Sequence, residues 1–380
     1  MNLEIISIIL FFGIISILLW KDRKNVEFEK GIVIRRWKKG KEKIIELSTK
    51  HKKFFEFLGY LSIGIGIFAS LFTIFWLINS SLKLQQTFGL VLPTVSGIEY
   101  PKPIISIPFW FWVFGIFFVI FPHETMHAIM ASLSKVKIKN YGIILFFFFP
   151  LGAFVDLDEK KLEKKSLKEK LRVYTAGSFG NFITASVFFI LIILFSFLIS
   201  KILIPIGISY QVINGTPAYS ANLTGYIQKI DNTSIHSILD LAKLLQTKKP
   251  NQTITIYTSK GIYNLTLSQH PENKSLPFIG IKNVRTVYKF SFSNKIVSFS
   301  IIDFLVNIGR FLNWMFILSL GVGLANLLPI GPLDGGRMWE EILIKWNKKY
   351  GKKIFKLISF LTLALLLFAL FGIPIVKAFS

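Results

Sequence analysis

The chain of 380 residues carries 45 Lys+Arg against 21 Asp+Glu, a formal net charge of +24, with five His and no Cys. Its charges are segregated: stretches near bilayer length carry almost none, and lysine-rich blocks follow them, which excludes a soluble globular protein and a nucleic-acid partner for the basic residues. Without Cys, disulfides and thiolate metal sites are excluded, and His, Asp and Glu remain as possible metal ligands.

The first apolar run, 3–20, opens on Asn2-Leu3-Glu4 and ends in WKDRK, which predicts a membrane span rather than a cleaved signal peptide. Further runs occupy 57–79, 104–130, 172–199, 301–328 and 355–377, each near the roughly 20 residues a bilayer requires. Lys and Arg crowd the loop 21–53 (RRWKKGKEK) and the segments 135–139, 159–170 and 345–356. The positive-inside rule therefore predicts that these are cytoplasmic and that 80–103 and 200–300 lie outside. Asn-X-Ser/Thr sequons at Asn79, Asn214, Asn222, Asn232, Asn251, Asn264 and Asn273 all fall on that outer side, although Asn- and Thr-rich loops also generate sequons by chance.

The third run ends in FPHETMHAIMAS, 121–132. His123 and His127 are one helical turn apart and project from one face, with Glu124 offset by about 100°. Two neutral imidazoles at this spacing can hold a zinc ion, with the glutamate as general base. Ionisable residues at membrane depth are costly and usually mark function. Next comes a stretch, 141–155, read as a hairpin turning at Pro150 and Gly152. It offers either a strand edge for an extended substrate or a short plug over the site. In the fourth run, Asn181 either bonds substrate backbone or joins two helices.

Residues 206–286 are polar and rich in Thr and Asn. GYIQKI, QTITIYT and IYNLTL alternate as strands do, SILDLAKLLQT has helical spacing, and Ser259-Lys260-Gly261 reads as a hairpin turn. The fifth run ends in NLLPIGPLDGGR, 326–337, whose one carboxylate is Asp334. Such a broken segment at membrane depth is tolerated when it is buried in protein or lines a wet cavity. Asp334 either caps the following helix or completes the metal site, and its depth, matching that of His123, favours the ligand.

Together these stretches resemble the site-2 protease family of intramembrane zinc metalloproteases. The resemblance rests on HETMH (123–127), FFFFPLGAFVDLDEKKL (146–162), LRVYTAGSFGNFITA (171–185) and NLLPIGPLDGG (326–336), with Gly177-Ser178 where the family usually has Gly-Pro. It implies one Zn²⁺ per chain held by His123, His127 and Asp334, Glu124 as the catalytic base, and Asn181 and Asn326 at the substrate. It implies hydrolysis of peptide bonds within or near transmembrane segments of membrane proteins in the bilayer. NGTPAYSANLTGYIQKIDNTSI (214–235) resembles a PDZ domain of the circularly permuted kind, which implies a groove for peptide C-termini; a small cap without a ligand is the other reading.

The predicted fold is thus a polytopic α-helical membrane protein with about six transmembrane helices, a re-entrant β-hairpin-like loop and a small α+β PDZ-like extracytoplasmic domain. Its predicted parts are 1–103, a two-helix region with a basic cytoplasmic loop; 104–200 and 301–345, the catalytic core; 206–286, the outer domain; and 346–380, a last span. A scaffold with a structural metal and a transporter are the competing functions. A structural zinc has no need of Glu124, and no internal repeat of the transporter kind is evident.

Overall fold

The computed structural model describes all residues except 1, 2, 30, 96, 97, 99, 148 and 380. Among the described residues, six helices are long and apolar enough to cross a membrane, and the protein is a multi-pass membrane protein. They are Leu3–Lys21, Lys52–Leu82, Phe109–Leu133, Leu167–Ile202, Phe299–Asn326 and Gly351–Leu367, the last continuing through a π turn, Phe368–Gly372, into Ile373–Phe379. The second and fourth start five residues before the apolar stretches that announce them and the sixth four, whereas the first five residues of the third stretch form a strand, Ile104–Pro108, and its helix starts at Phe109. Backbone groups leaving the bilayer still need partners, and continuing the helix supplies them. Large side chains such as Phe68 and Phe75 stay exposed on the outer faces, as a lipid-facing surface requires.

By its contacts the chain forms two units, 1–190 with 311–380, and 191–310. In the first, small residues set the helix spacing. Gly59, Ser62 and Gly66 share one face of the second span, and the Ser62 hydroxyl lies 2.9 Å from that of Thr175 on the fourth. A Cβ on Gly66 would stand 2.7 Å from the Thr175 methyl, so the backbones approach more closely than larger side chains allow. The core beside this seam is built from Met126, Ile129 and Met130 of the third span and Val173, Ala176 and Phe179 of the fourth.

The lysine-rich segment 21–53, expected as a loop, is folded. Val26–Glu29 and Ile32–Trp37 form a hairpin, and Lys41–Lys50 is a helix packed on the third span through Ser48 and Ser132. The second strand of that hairpin pairs with Ile138–Phe146, which pairs in turn with Phe149–Leu157, completing a four-stranded antiparallel sheet. Arg35 pairs with Asp22 and Arg36 with Glu27, which accommodates a cation-rich sequence in a strand. Strand Phe149–Leu157 is an edge of this sheet. Pro150 and Gly152, expected at its turn, lie inside it on either side of a register shift opposite Ile144 and Leu145. An edge bulge is where a strand accepts proline. Phe148, within the hairpin, lies outside the described residues.

In the second unit, strands run in the order Ile262–Thr266, Thr253–Thr258, Ile227–Ile230, Leu203–Val212, Ile281–Phe290. Helix Ile238–Gln246 is started by a reciprocal capping box between Ser237 and Asp240. Its Leu241 belongs to the same core as Ile208, Ile227, Ile230, Ile254 and Ile256 of the sheet. Three strands and the helix follow the sequence periodicity. The two long strands extend beyond the expected limits of 206 and 286 and pair with each other from Leu203↔Phe290 to Val212↔Ile281.

Candidate metal centre

Three side chains from two distant parts of the sequence converge in the first unit. His123 and His127, both buried on the third span, place their Nε2 atoms 3.1 Å apart. Oδ2 of Asp334 lies 3.1 Å from each of them. Asp334 begins helix Asp334–Trp346, and the two glycines after it explain its placement. A Cβ on Gly335 would collide with the carbonyl of Leu327, and one on Gly336 with that of Ile330, so only glycine lets the helix start fold back on the preceding turn.

That turn is braced from the second span. Ser70 donates to the Leu327 carbonyl at 2.7 Å and accepts from the Trp339 indole at 2.8 Å. Further along the same helix, Glu341 receives the Lys170 ammonium on both oxygens, at 3.0 and 2.9 Å.

The outer nitrogens of the histidines are also held. Nδ1 of His127 donates to the Val173 carbonyl at 2.7 Å. Nδ1 of His123 lies 3.2 Å from the side-chain amide of Asn181, which is wholly buried. These partners fix ring orientation and leave each Nε2 turned inward, as metal-binding histidines require. Gly177 faces the same point: a Cβ there would stand 2.5 Å from Nε2 of His123 and closer still to Nε2 of His127.

The group fits a divalent metal. Three N/O donors at mutual distances of 3.1 Å form a triangle. Such a triangle would suit zinc bonds of about 2.0–2.1 Å, with His123, His127 and Asp334 as the residues that would hold the ion. The space left by Gly177, and the lack of a fourth donor in the group among the described residues, leave room for a water or substrate oxygen.

A cavity of about 620 Å³ opens on this group. Glu124 lines it and accepts a hydrogen bond from the Val155 backbone N–H at 2.8 Å, so the edge strand Phe149–Leu157 forms one wall. Asn326 also lines the cavity. Asn181 is not among its lining residues and bonds to a histidine instead.

A model of Peptidase family M50 matches residues 111–370. The chain belongs to this family, the site-2 proteases. An uncharacterized protein of Methanocaldococcus jannaschii is 27% identical over 374 residues, covering 93% of this chain and 91% of that protein. A protein of Fusobacterium nucleatum named "Putative zinc metalloprotease" is 26% identical over 312 residues, covering 63% of this chain and 90% of its own. This M50 chain is accordingly a site-2-type zinc metalloprotease, and the His123, His127 and Asp334 group can bind the metal.

Several contributors to the M50 site carried little sequence signal. Val155 and Val173 act through backbone groups, which no residue type announces. Ser70 lies in a span without a motif. Gly177 and Gly180 stand at i, i+3, a spacing that marks a close helix contact but does not say with what; a Cβ on Gly180 would stand 2.8 Å from the Pro122 carbonyl of the histidine helix.

Proposed function

We propose that this M50 protein hydrolyses peptide bonds within or next to transmembrane segments of membrane-protein substrates, inside the bilayer and toward its cytoplasmic side. The observation that carries this reading is the meeting of His123, His127 and Asp334 at 3.1 Å beside a cavity walled by the edge strand Phe149–Leu157. A bound zinc supplies a Lewis acid that polarises the scissile carbonyl and makes water nucleophilic near neutral pH.

The chain's own residues do the rest. Val155 N–H holds one oxygen of Glu124, and among the described residues the other oxygen has no hydrogen-bond partner. Glu124 takes a proton from the attacking water and delivers it to the leaving amide nitrogen. A substrate helix must unwind before attack, and its freed N–H and C=O groups would each cost several kcal/mol in lipid. The edge strand offers replacement bonds by strand addition, and the Asn326 amide bonds the substrate backbone beside it. On this reading the hairpin re-enters the membrane. Asn181 orients His123, so the two asparagines have different tasks.

Residues 206–286, within the 191–310 unit, are read as a PDZ-like extracytoplasmic domain that binds the new C-termini of substrates already cut outside. The test is cleavage of a single-span reporter in vesicles. Wild type cuts within the span, whereas Glu124→Gln keeps its zinc and loses turnover by at least about 100-fold. A Glu124→Gln protein that cuts as wild type overturns the mechanism, and cleavage confined to soluble peptides overturns the intramembrane site.

A further inference from the structure

Arg172 is nine-tenths buried, yet its guanidinium has no hydrogen-bond or carboxylate partner among the described residues, and its Nε is sealed from solvent. A buried polar group in this state costs free energy, and a charged one more, unless something outside the protein pairs with it. The side chain lies in a made slot. A Cβ on Gly59 would stand 2.9 Å from Arg172 Cδ and 2.9 Å from the Met130 sulfur, so the arginine stem crosses the second span where that helix has no side chain. The guanidinium is then 5.2 Å from the centre of the Tyr60 ring, whose own outer face is exposed.

Of the carboxylates nearest in sequence, Glu169 feels the charge of Arg172 but makes no ion pair with it, and Glu56 pairs with a lysine. Glu169 accepts from the Ser166 N–H and hydroxyl at 3.0 and 2.7 Å and faces Lys165 at 3.7 Å. Glu56 faces Lys52 at 3.8 Å. Arg172 lies in the second turn of helix Leu167–Ile202, and Tyr60 two turns into Lys52–Leu82, so both stand near the lysine-rich ends of their spans. Lys52 and Lys53 precede Tyr60 and Lys165 and Lys168 precede Arg172 at these ends of the spans, and such basic ends lie where lipid phosphates sit.

We propose that the slot between the second and fourth spans binds the phosphate of an anionic lipid headgroup. The Arg172 guanidinium is its principal donor, Tyr60 holds that guanidinium flat, and the flanking lysines add long-range attraction. Basic pockets between spans are the recurrent form of such sites. The next residue, Val173, holds the ring of His127 at 2.7 Å, so the headgroup site and the metal site share one helical turn.

The test uses the full-length protein, purified in detergent and stripped of lipid. Dioctanoyl phosphatidylglycerol, dioctanoyl phosphatidylcholine and inorganic phosphate are titrated separately, reading bound lipid by native mass spectrometry and the thermal midpoint. Phosphatidylglycerol is expected to bind and to raise the midpoint, in a salt-sensitive way, with about 5- to 10-fold weaker affinity in Arg172→Gln. Zinc content per chain reports whether that variant is folded. If it is not, Tyr60→Leu, at an exposed ring, carries the test with an expected loss of about 3-fold. Equal binding of phosphatidylglycerol by the folded variant and wild type overturns the site, as does equal binding of phosphatidylcholine. A full shift produced by inorganic phosphate alone overturns the lipid as its ligand.

Discussion

Replacing Gly177 by alanine tests the geometry of the metal centre with the smallest possible change. The added Cβ would stand 2.5 Å from Nε2 of His123, against the 3.4 Å at which ordinary van der Waals contact begins, and it approaches His127 still more closely. One or both rings must therefore move by roughly 1 Å, whereas zinc bonds tolerate only about ±0.2 Å. Without metal the imidazoles can swing aside. With metal they cannot, so the cost falls on the loaded state. Overpacking of this kind costs about 1–3 kcal/mol, which is about a 5- to 150-fold loss of zinc affinity. The assay is competition for zinc against a chromophoric chelator, together with the thermal midpoints of the loaded and metal-free proteins. Gly177→Ala should weaken binding within that range and shrink the midpoint gained from zinc. Gly321→Ala, where a Cβ meets nothing within 4 Å, should match wild type. Wild-type zinc affinity in Gly177→Ala would refute the placement of the two Nε2 atoms beside that helix.

Three further outcomes follow from the same geometry. Asn181→Ala removes the partner of His123 Nδ1 and should weaken zinc binding about 10- to 100-fold, measured by the same competition; an unchanged affinity with lowered turnover would return Asn181 to the substrate. Val155→Pro deletes the N–H that holds Glu124 on an edge strand that tolerates proline, so turnover should fall about 10-fold with zinc content unchanged, and equal loss of both would show a folding defect instead. In the 191–310 unit, burial opposes ionisation of Asp231, but the Lys248 ammonium at 2.6 Å and the Thr255 N–H at 2.8 Å outweigh it and hold its carboxyl below the ordinary value. Its contribution to stability is therefore complete above the carboxyl's unfolded pKa and is lost as pH falls through the lower folded one. Protection of the Thr255 amide, relative to its intrinsic exchange rate, should fall in that acid window in wild type, and already at neutral pH in Asp231→Ala; identical protection in the two proteins would remove the linkage.

What was legible in the sequence divides by physical cause. Spans announce themselves because lipid selects composition over some twenty consecutive positions, and the candidate metal group because His and Asp are expensive at membrane depth. The second group, the residues that hold the ligands, was hidden. Ser70, Val155 and Val173 bond through a hydroxyl or the main chain, and a serine in an apolar helix reads as neutral. The basic segment 21–53 misled for a different reason: lysine density signals sidedness, yet the β-branched Ile32-Val33-Ile34 still suits a strand, and Ile32–Trp37 pairs with Ile138–Phe146. Charge reported where that segment lies relative to the membrane, and the pairing reported what it does there. By joining the sheet on one side, the hairpin leaves Phe149–Leu157 as the free edge on the other, facing Glu124.

Asn181 shows how placement changes a role that residue type leaves open. An asparagine in a membrane helix can bond substrate, join helices or orient a ligand, and all three readings share one sequence. The pairing of its two side-chain atoms favours the third reading. Nδ2 faces Nδ1 of His123 at 3.2 Å, while Oδ1 is buried without a partner. A histidine that presents Nε2 to a metal carries its proton on Nδ1 and must donate there. Half a turn of the Asn181 amide brings Oδ1 to that proton and removes the unpaired oxygen at once, whereas the opposite tautomer leaves Oδ1 unpaired and spoils the ligand. Asn181→Asp, which offers an oxygen in either orientation, should therefore retain zinc far better than Asn181→Leu, which fills similar volume and offers none. Equal loss in the two variants, read by chelator competition, would mean that Asn181 acts through packing alone.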